Sequence, residues 1–113
     1  MKKIEAIIKP FRIDDIKAGL NAIGVHGITV YDEIKGFGRQ RGQMESYRGA
    51  EYELKFQPKT RIEIVVPDSK KDEVIAIIMD KAKTGSIGDG KIFIHSIGDA
   101  YRIRTGEKGE GAL

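Results

Sequence analysis

Charged and apolar residues alternate from Lys3 to Ala6 before the pair Ile7-Ile8, and Pro10 then ends the run, so the spacing predicts a first strand over residues 3–9. Ile13, Ile16, Leu20 and Ile23 follow at intervals of three and four, with Asp14 and Asp15 in the first turn and Gly24 just past the end, which predicts an amphipathic helix. A second strand is expected over about Ile28 to Lys35, after which the periodicity dissolves from Gly36 to about Leu54. The order then repeats. Arg61 to Val66, ended by Pro67, echoes the first strand, and a helix entered through Asp68-Ser69 turns Val74, Ile75, Ile78 and Ala82 inward, with Gly85 as its stop. Lys91 to Ile97 supplies a fourth strand. Two successive β-α-β units of similar length predict an α+β, ferredoxin-like double β-α-β sandwich, with both helices on one face of a four-stranded antiparallel sheet. Other copies of so small a chain are an economical cover for the second face, so a homo-oligomer is expected.

Composition narrows the classes. A chain of 113 residues, 40% hydrophobic and 33% charged, has the balance of one globular domain and no room for a second. Its 20 basic residues are interleaved with 17 acidic ones for a net charge of +3, which argues against bulk nucleic-acid binding. With no cysteine, and with His26 and His95 far apart in sequence, no metal cage is indicated. No apolar run approaches the roughly 18 residues of a membrane span, and Glu5 stands where a signal peptide would be apolar, so a cytoplasmic location is expected.

Fold alone assigns no function. The segment Lys35-Gly36-Phe37-Gly38-Arg39-Gln40-Arg41-Gly42 could bring backbone amides and Arg39 to an anion, but it has neither the dinucleotide fingerprint nor a Walker loop, and a glycine-rich connection is the plain alternative. Thr84 to Lys91 puts Gly85, Gly88 and Gly90 beside a lysine, a composition suited to phosphate oxygens, although a helix cap followed by a tight turn needs the same glycines. In Arg102-Ile103-Arg104 an extended backbone would send both guanidinium groups to one face, to grip a polyphosphate or simply to meet solvent. Together these segments make a nucleotide the leading ligand class. The stretch 36–54 is long for a mere connection, and Tyr47, Arg48 and Tyr52 within it are residue types that anchor protein contacts. No nucleophile-base set or carboxylate pair can be assembled, so no enzyme is expected.

The segments Lys35–Gln40, Tyr47–Tyr52, Thr84–Phe93 and Arg102–Glu107, with the opening Met1–Phe11, resemble the PII (GlnB/GlnK-type) nitrogen-regulatory signal-transduction family nearly end to end. The resemblance implies a single PII domain over residues 1–113, with a flexible loop at 36–54 and a C-terminal loop and tail at 98–113. It implies a homotrimer that binds ATP or ADP in three inter-subunit clefts. In such a cleft Gly36, Gly38, Arg39, Gln40, Gly88, Asp89, Gly90 and Lys91 would surround the phosphates, Arg102 and Arg104 would reach them from the neighbouring subunit, and Ile7, Thr29, Glu63 and Val65 would line the adenine and ribose side. It further implies 2-oxoglutarate bound beside Mg-ATP through Gln40, Lys59 and Gly88, with Gln40 as the protein's contribution to the metal.

The same resemblance implies partners among ammonium transporters and nitrogen-assimilation enzymes or their regulators. Arg48 would plug the transporter, and Tyr52 would be a position for uridylylation or adenylylation. Two departures stand out. The link Val30–Lys35 is one residue longer than usual, which predicts a bulge or a shifted loop root, and Ala50 replaces a serine that some members phosphorylate. A ferredoxin-like regulator outside this family, or a slow phosphatase or kinase using the same cleft, are the alternatives.

Overall fold

The computed structural model describes residues 1–38 and 56–113. Strand β1 (Lys2–Ile8) leads to helix α1 (Ile13–Ala22), and strands β2 (Thr29–Gly36) and β3 (Gln57–Val66) precede helix α2 (Lys71–Ala82) and strand β4 (Lys91–Ser96). The strands lie in the order β2-β3-β1-β4, every neighbouring pair antiparallel. This is the ferredoxin-like α+β arrangement that the repeat predicts.

The core follows from strand alternation. Ile4 pairs with Ile64 and Ala6 with Ile62, so Ile4, Ala6, Ile8, Ile62, Ile64 and Val66 share one face. They are buried against Ile16 and Leu20 of α1 and Val74, Ile78 and Ala82 of α2. Removing any of the large ones would cost about 2–5 kcal/mol.

The two helix entrances are alike and differ from expectation. Pro10 and Pro67 are each followed or joined by a short 3₁₀ turn, Pro10–Arg12 and Asp68–Lys70, and neither α-helix has a side-chain cap. Asp68 does not cap α2, because its carboxylate pairs with the Met1 amine at 3.1 Å. Gly24 does end α1: the amide of Val25 reaches the Leu20 carbonyl at 3.0 Å and that of Gly24 reaches Asn21 at 3.1 Å, a Schellman motif. Gly85 does not end α2 in the same way, since the chain is already extended at Lys83.

The predicted bulge is present. Tyr31 pairs with Arg61 and Ile34 with Lys59, so β2 spends one residue more than β3 over that interval, and Glu33 absorbs it at a φ of +59°. Asp32 is held there by the buried Thr60 hydroxyl, which donates to it at 3.3 Å. A left-handed glutamate is strained. Glu33→Gly is therefore expected to raise the unfolding free energy by about 0.5–1 kcal/mol, seen as a higher urea midpoint, and an unchanged or lower midpoint would contradict the strain.

No described helix covers the second face of the sheet. It carries Lys3, Glu5, Tyr31, Arg61, Glu63, Phe93 and His95 as a layer of charges and rings. Glu5 accepts from or pairs with His95 at 2.9 Å, and the Arg61 guanidinium lies 4.1 Å from the Tyr31 ring centroid. Phe93 is half exposed on this face.

Candidate functional site

Gly90 is held where only glycine fits. Its φ is +106°, and a Cβ built on it would lie 1.7 Å from the Ile7 carbonyl oxygen. The turn between α2 and β4 is thereby pressed onto the end of β1. Against the same place runs the Lys59 side chain from β3, under Gly36, whose added Cβ would meet Lys59 Cγ at 3.1 Å. These two close approaches border a cavity of about 480 Å³ lined by Ile7, Gly36, Phe37, Gly38, Lys59, Gly88 to Lys91 and Phe93.

Lys59 is the site's buried cation, only 8% exposed. Its ammonium donates to the Gly88 carbonyl at 2.5 Å. Burial lowers its pKa below the ordinary lysine value, the Lys9 charge lowers it further, and Asp89 partly compensates. A buried ammonium whose only described protein acceptor is one carbonyl favours an incoming anion.

Asp89 is anionic for the opposite balance of reasons. Burial works against its charge, but the Thr84 hydroxyl, the Thr84 and Gly85 amides and Lys9 outweigh it and hold the carboxyl well below its usual range. The same bonds explain why α2 stops at Lys83: the chain leaves the helix to wrap its amides around Asp89.

Residues 1–107 match the family described as nitrogen regulatory protein P-II. The chain is 54% identical to the P-II protein of Haemophilus influenzae, 57% identical to that of Rhodospirillum rubrum and 54% identical to P-II 1 of Escherichia coli, each over 113 residues. The alignments span the whole of this chain and the whole of each relative. The chain belongs to the PII nitrogen regulatory family.

Within this PII fold the candidate residues divide into separate groups. Ile7, Gly36, Gly38, Lys59, Gly88, Asp89, Gly90 and Lys91 meet around the one cavity. Thr29 and Glu63 are register partners farther along the open sheet face, and Val65 lines a different cavity of about 530 Å³ with Gly27, Pro67 and Leu113. Arg102 and Arg104 join neither.

The tail also departs from the extended geometry expected of it. Arg102 to Gly106 form a turn closed by the Gly106 amide on the Arg102 carbonyl at 2.8 Å, with Gly106 at a φ of +78°. Arg102 is engaged by Glu107 at 2.6 Å and by the Leu113 carbonyl at 3.0 Å, whereas Arg104 is exposed. Arg39, Gln40, Tyr47, Arg48 and Tyr52 lie outside the described residues.

Sequence reasoning missed Lys9, Thr84 and Glu107 as members of these networks. Lys9 bonds to Thr84 and Asp89, at a sequence distance of 75 residues from the former, and no local spacing could connect them.

No described helix of this PII chain is long and apolar enough to cross a membrane. Among the described residues no cluster of three acidic, histidine or cysteine side chains could hold a metal ion.

Proposed function

We propose that this PII-family chain is a homotrimeric nitrogen sensor that binds ATP or ADP, and 2-oxoglutarate with Mg²⁺, in clefts between subunits. The observation that carries the reading is the meeting of Gly38, Lys59 and Gly88–Lys91 around a single cavity, although they come from three separate stretches of chain. Three glycines allow a close backbone approach, and Lys59 and Lys91 supply positive charge, which suits a polyphosphate beside a small dicarboxylate.

Thr29, Glu63, Val65, Arg102 and Arg104 do not line that cavity within one chain. Thr29, Glu63 and Val65 would complete the site as the adenine side, and Arg102 and Arg104 would reach the phosphates from a neighbouring copy. The uncovered sheet face, with its paired charges and half-exposed Phe93, is the surface on which copies would assemble.

Magnesium fits this site only as a companion of the nucleotide. Asp89 spends both oxygens inside the protein, so the phosphates would supply most of the metal's ligands and Gln40 the protein's share. Bound there, the ion neutralises phosphate charge. The chain's own residues would hold the anions: Lys59 trades the Gly88 carbonyl for a carboxylate of 2-oxoglutarate, and Gln40 links the occupied site to the loop 36–54. That loop would carry the state of the site to an ammonium transporter or a nitrogen-assimilation enzyme through Tyr47, Arg48 and Tyr52. A regulator of this kind turns over no substrate.

Titrating 2-oxoglutarate calorimetrically with and without Mg-ATP tests the reading. Mg-ATP is expected to raise the affinity about tenfold or more, a coupling of over 1 kcal/mol. Equal affinities in the two titrations would defeat it, and sustained ATP hydrolysis at ordinary enzymatic rates would favour a phosphatase instead.

A further inference from the structure

Asp89 lies in the middle of the glycine-rich segment and on the cavity wall, yet both its carboxylate oxygens are taken up by Thr84, Gly85 and Lys9. Oδ2 accepts the amides of Thr84 at 2.8 Å and Gly85 at 2.9 Å. Oδ1 accepts the Thr84 hydroxyl and pairs with the Lys9 ammonium at 3.2 Å. The Thr84 oxygen in turn accepts from Lys9 at 3.0 Å and from the Ser86 amide at 3.2 Å. Three consecutive amides of the turn are thereby tied to one carboxylate and one hydroxyl.

We propose that Asp89, with Thr84 and Lys9, forms a clasp that positions Gly88 to Lys91 on the cavity wall, and that Asp89 does not itself touch the ligand. The clasp works with the close approach of Gly90 to Ile7. Lys9 lies two residues beyond Ile7, just past the end of β1, so this stretch of chain grips the turn twice, once by steric fit and once by charge. The clasp also keeps the carboxylate's charge compensated by Lys9. An uncompensated carboxylate beside phosphates would repel them.

The proposal rests on the cavity being a nucleotide site, and charge gives it a discriminating sign. Were Asp89 acting through its charge alone, Asp89→Asn would tighten binding by removing a negative group near the phosphates. A positioning role predicts the reverse. ATP and ADP binding to the full chain would be measured by calorimetry for Asp89→Asn, Asp89→Ala, Thr84→Ser and Thr84→Val, with and without Mg²⁺.

Asp89→Ala is expected to weaken ATP binding by about 10- to 100-fold and Asp89→Asn by less, because the amide retains one acceptor oxygen. Thr84→Ser keeps the hydroxyl and should bind like the unsubstituted chain, whereas Thr84→Val should lose about tenfold. The Thr84 pair keeps the test decisive if the Asp89 variants fail to fold. The losses should be equal with and without Mg²⁺. Unchanged or tighter binding by Asp89→Asn, or by Thr84→Val if the former does not fold, would overturn the clasp. A loss confined to the Mg²⁺ samples would also overturn it, because that places Asp89 on the metal. Failure of the unsubstituted chain to bind nucleotide at all would overturn the site reading, and the clasp with it.

Discussion

Gly90→Ala is expected to lower stability by about 3 kcal/mol or more and to weaken ATP binding by about 10- to 100-fold. The added Cβ meets the Ile7 carbonyl oxygen at 1.7 Å, a backbone atom that cannot swing aside as a side chain could. The φ of +106° is in addition a region that alanine rarely adopts. Either the turn lifts off β1 or the end of β1 moves, and both displace the wall formed by Gly88–Lys91. Gly38→Ala is the matched control. Among the described residues nothing lies within 4 Å of a Cβ at Gly38, so that variant should unfold like the unsubstituted chain, and any loss of ATP affinity would report ligand approach. Denaturant unfolding with nucleotide titration of both variants checks this. Equal stability for Gly90→Ala and the unsubstituted chain would contradict the packing described for the turn.

Lys59→Met should abolish 2-oxoglutarate binding, by about 100-fold or more, while leaving the fold intact. Burying an ammonium is costly, and a methionine of similar length removes that cost, so stability should hold or rise. The loss falls on the ligand's carboxylate, which would be left without the Lys59 ammonium as its partner.

The same ammonium gives the site a pH dependence of definite direction. Its pKa is lowered by burial and by Lys9, so in the free protein the charged form is lost at lower pH than for an ordinary lysine. An anion prefers the charged form. Affinity for 2-oxoglutarate should therefore fall as pH rises through that lowered value, before an unperturbed lysine would begin to titrate. The folded chain itself changes in the opposite sense: the cost of the buried charge is present at lower pH and is relieved as the group deprotonates. Titrations of the unsubstituted chain and Lys59→Met over an alkaline series check the assignment. Retained affinity in the variant, or an unaltered pH profile, would remove Lys59 from the site.

The legible parts of the fold were those written in local pattern. Alternation in β1 and β3, and the three-and-four spacing of Ile13, Ile16 and Leu20, specify which faces pack, and Ile16 and Leu20 are in the observed core with Ile13 partly buried against it. The extra residue between Val30 and Lys35 could be read against the usual link of the family it resembles, and it emerges as the bulge at Asp32–Glu33. The start of β3 was not legible. Gln57-Pro58-Lys59-Thr60 lacks the strand's apolar alternation, but pairing with β2 carries the ladder back to Gln57. Long-range polar contacts were hidden for a different reason. Asp68 has the side chain of a helix cap and is diverted by the Met1 amine, while Lys9 has no motif at all until folding sets it beside Asp89.

Of the site, the glycine-rich segments were legible from residue type, because close backbone approach demands glycine, whereas their convergence was an expectation from the topology and the family resemblance. The tail arginines show the limit of that reasoning. Alternation suggested two guanidinium groups on one extended face, whereas the turn at Thr105-Gly106 gives Arg102 to Glu107 and leaves Arg104 in solvent. In the proposed trimer their relation to the cavity would depend on a second copy.

Mixing two defective variants measures that dependence directly. Lys91→Ala damages the cavity side, and Arg102→Ala/Arg104→Ala damages the tail side, so neither alone should bind ATP well. If each cleft takes its halves from neighbouring subunits, trimers refolded from an equal mixture should recover about one intact cleft in four. ATP binding near that stoichiometry, at the affinity of the unsubstituted chain, is the predicted result. A mixture that binds no better than its components would contradict a site built across the subunit boundary.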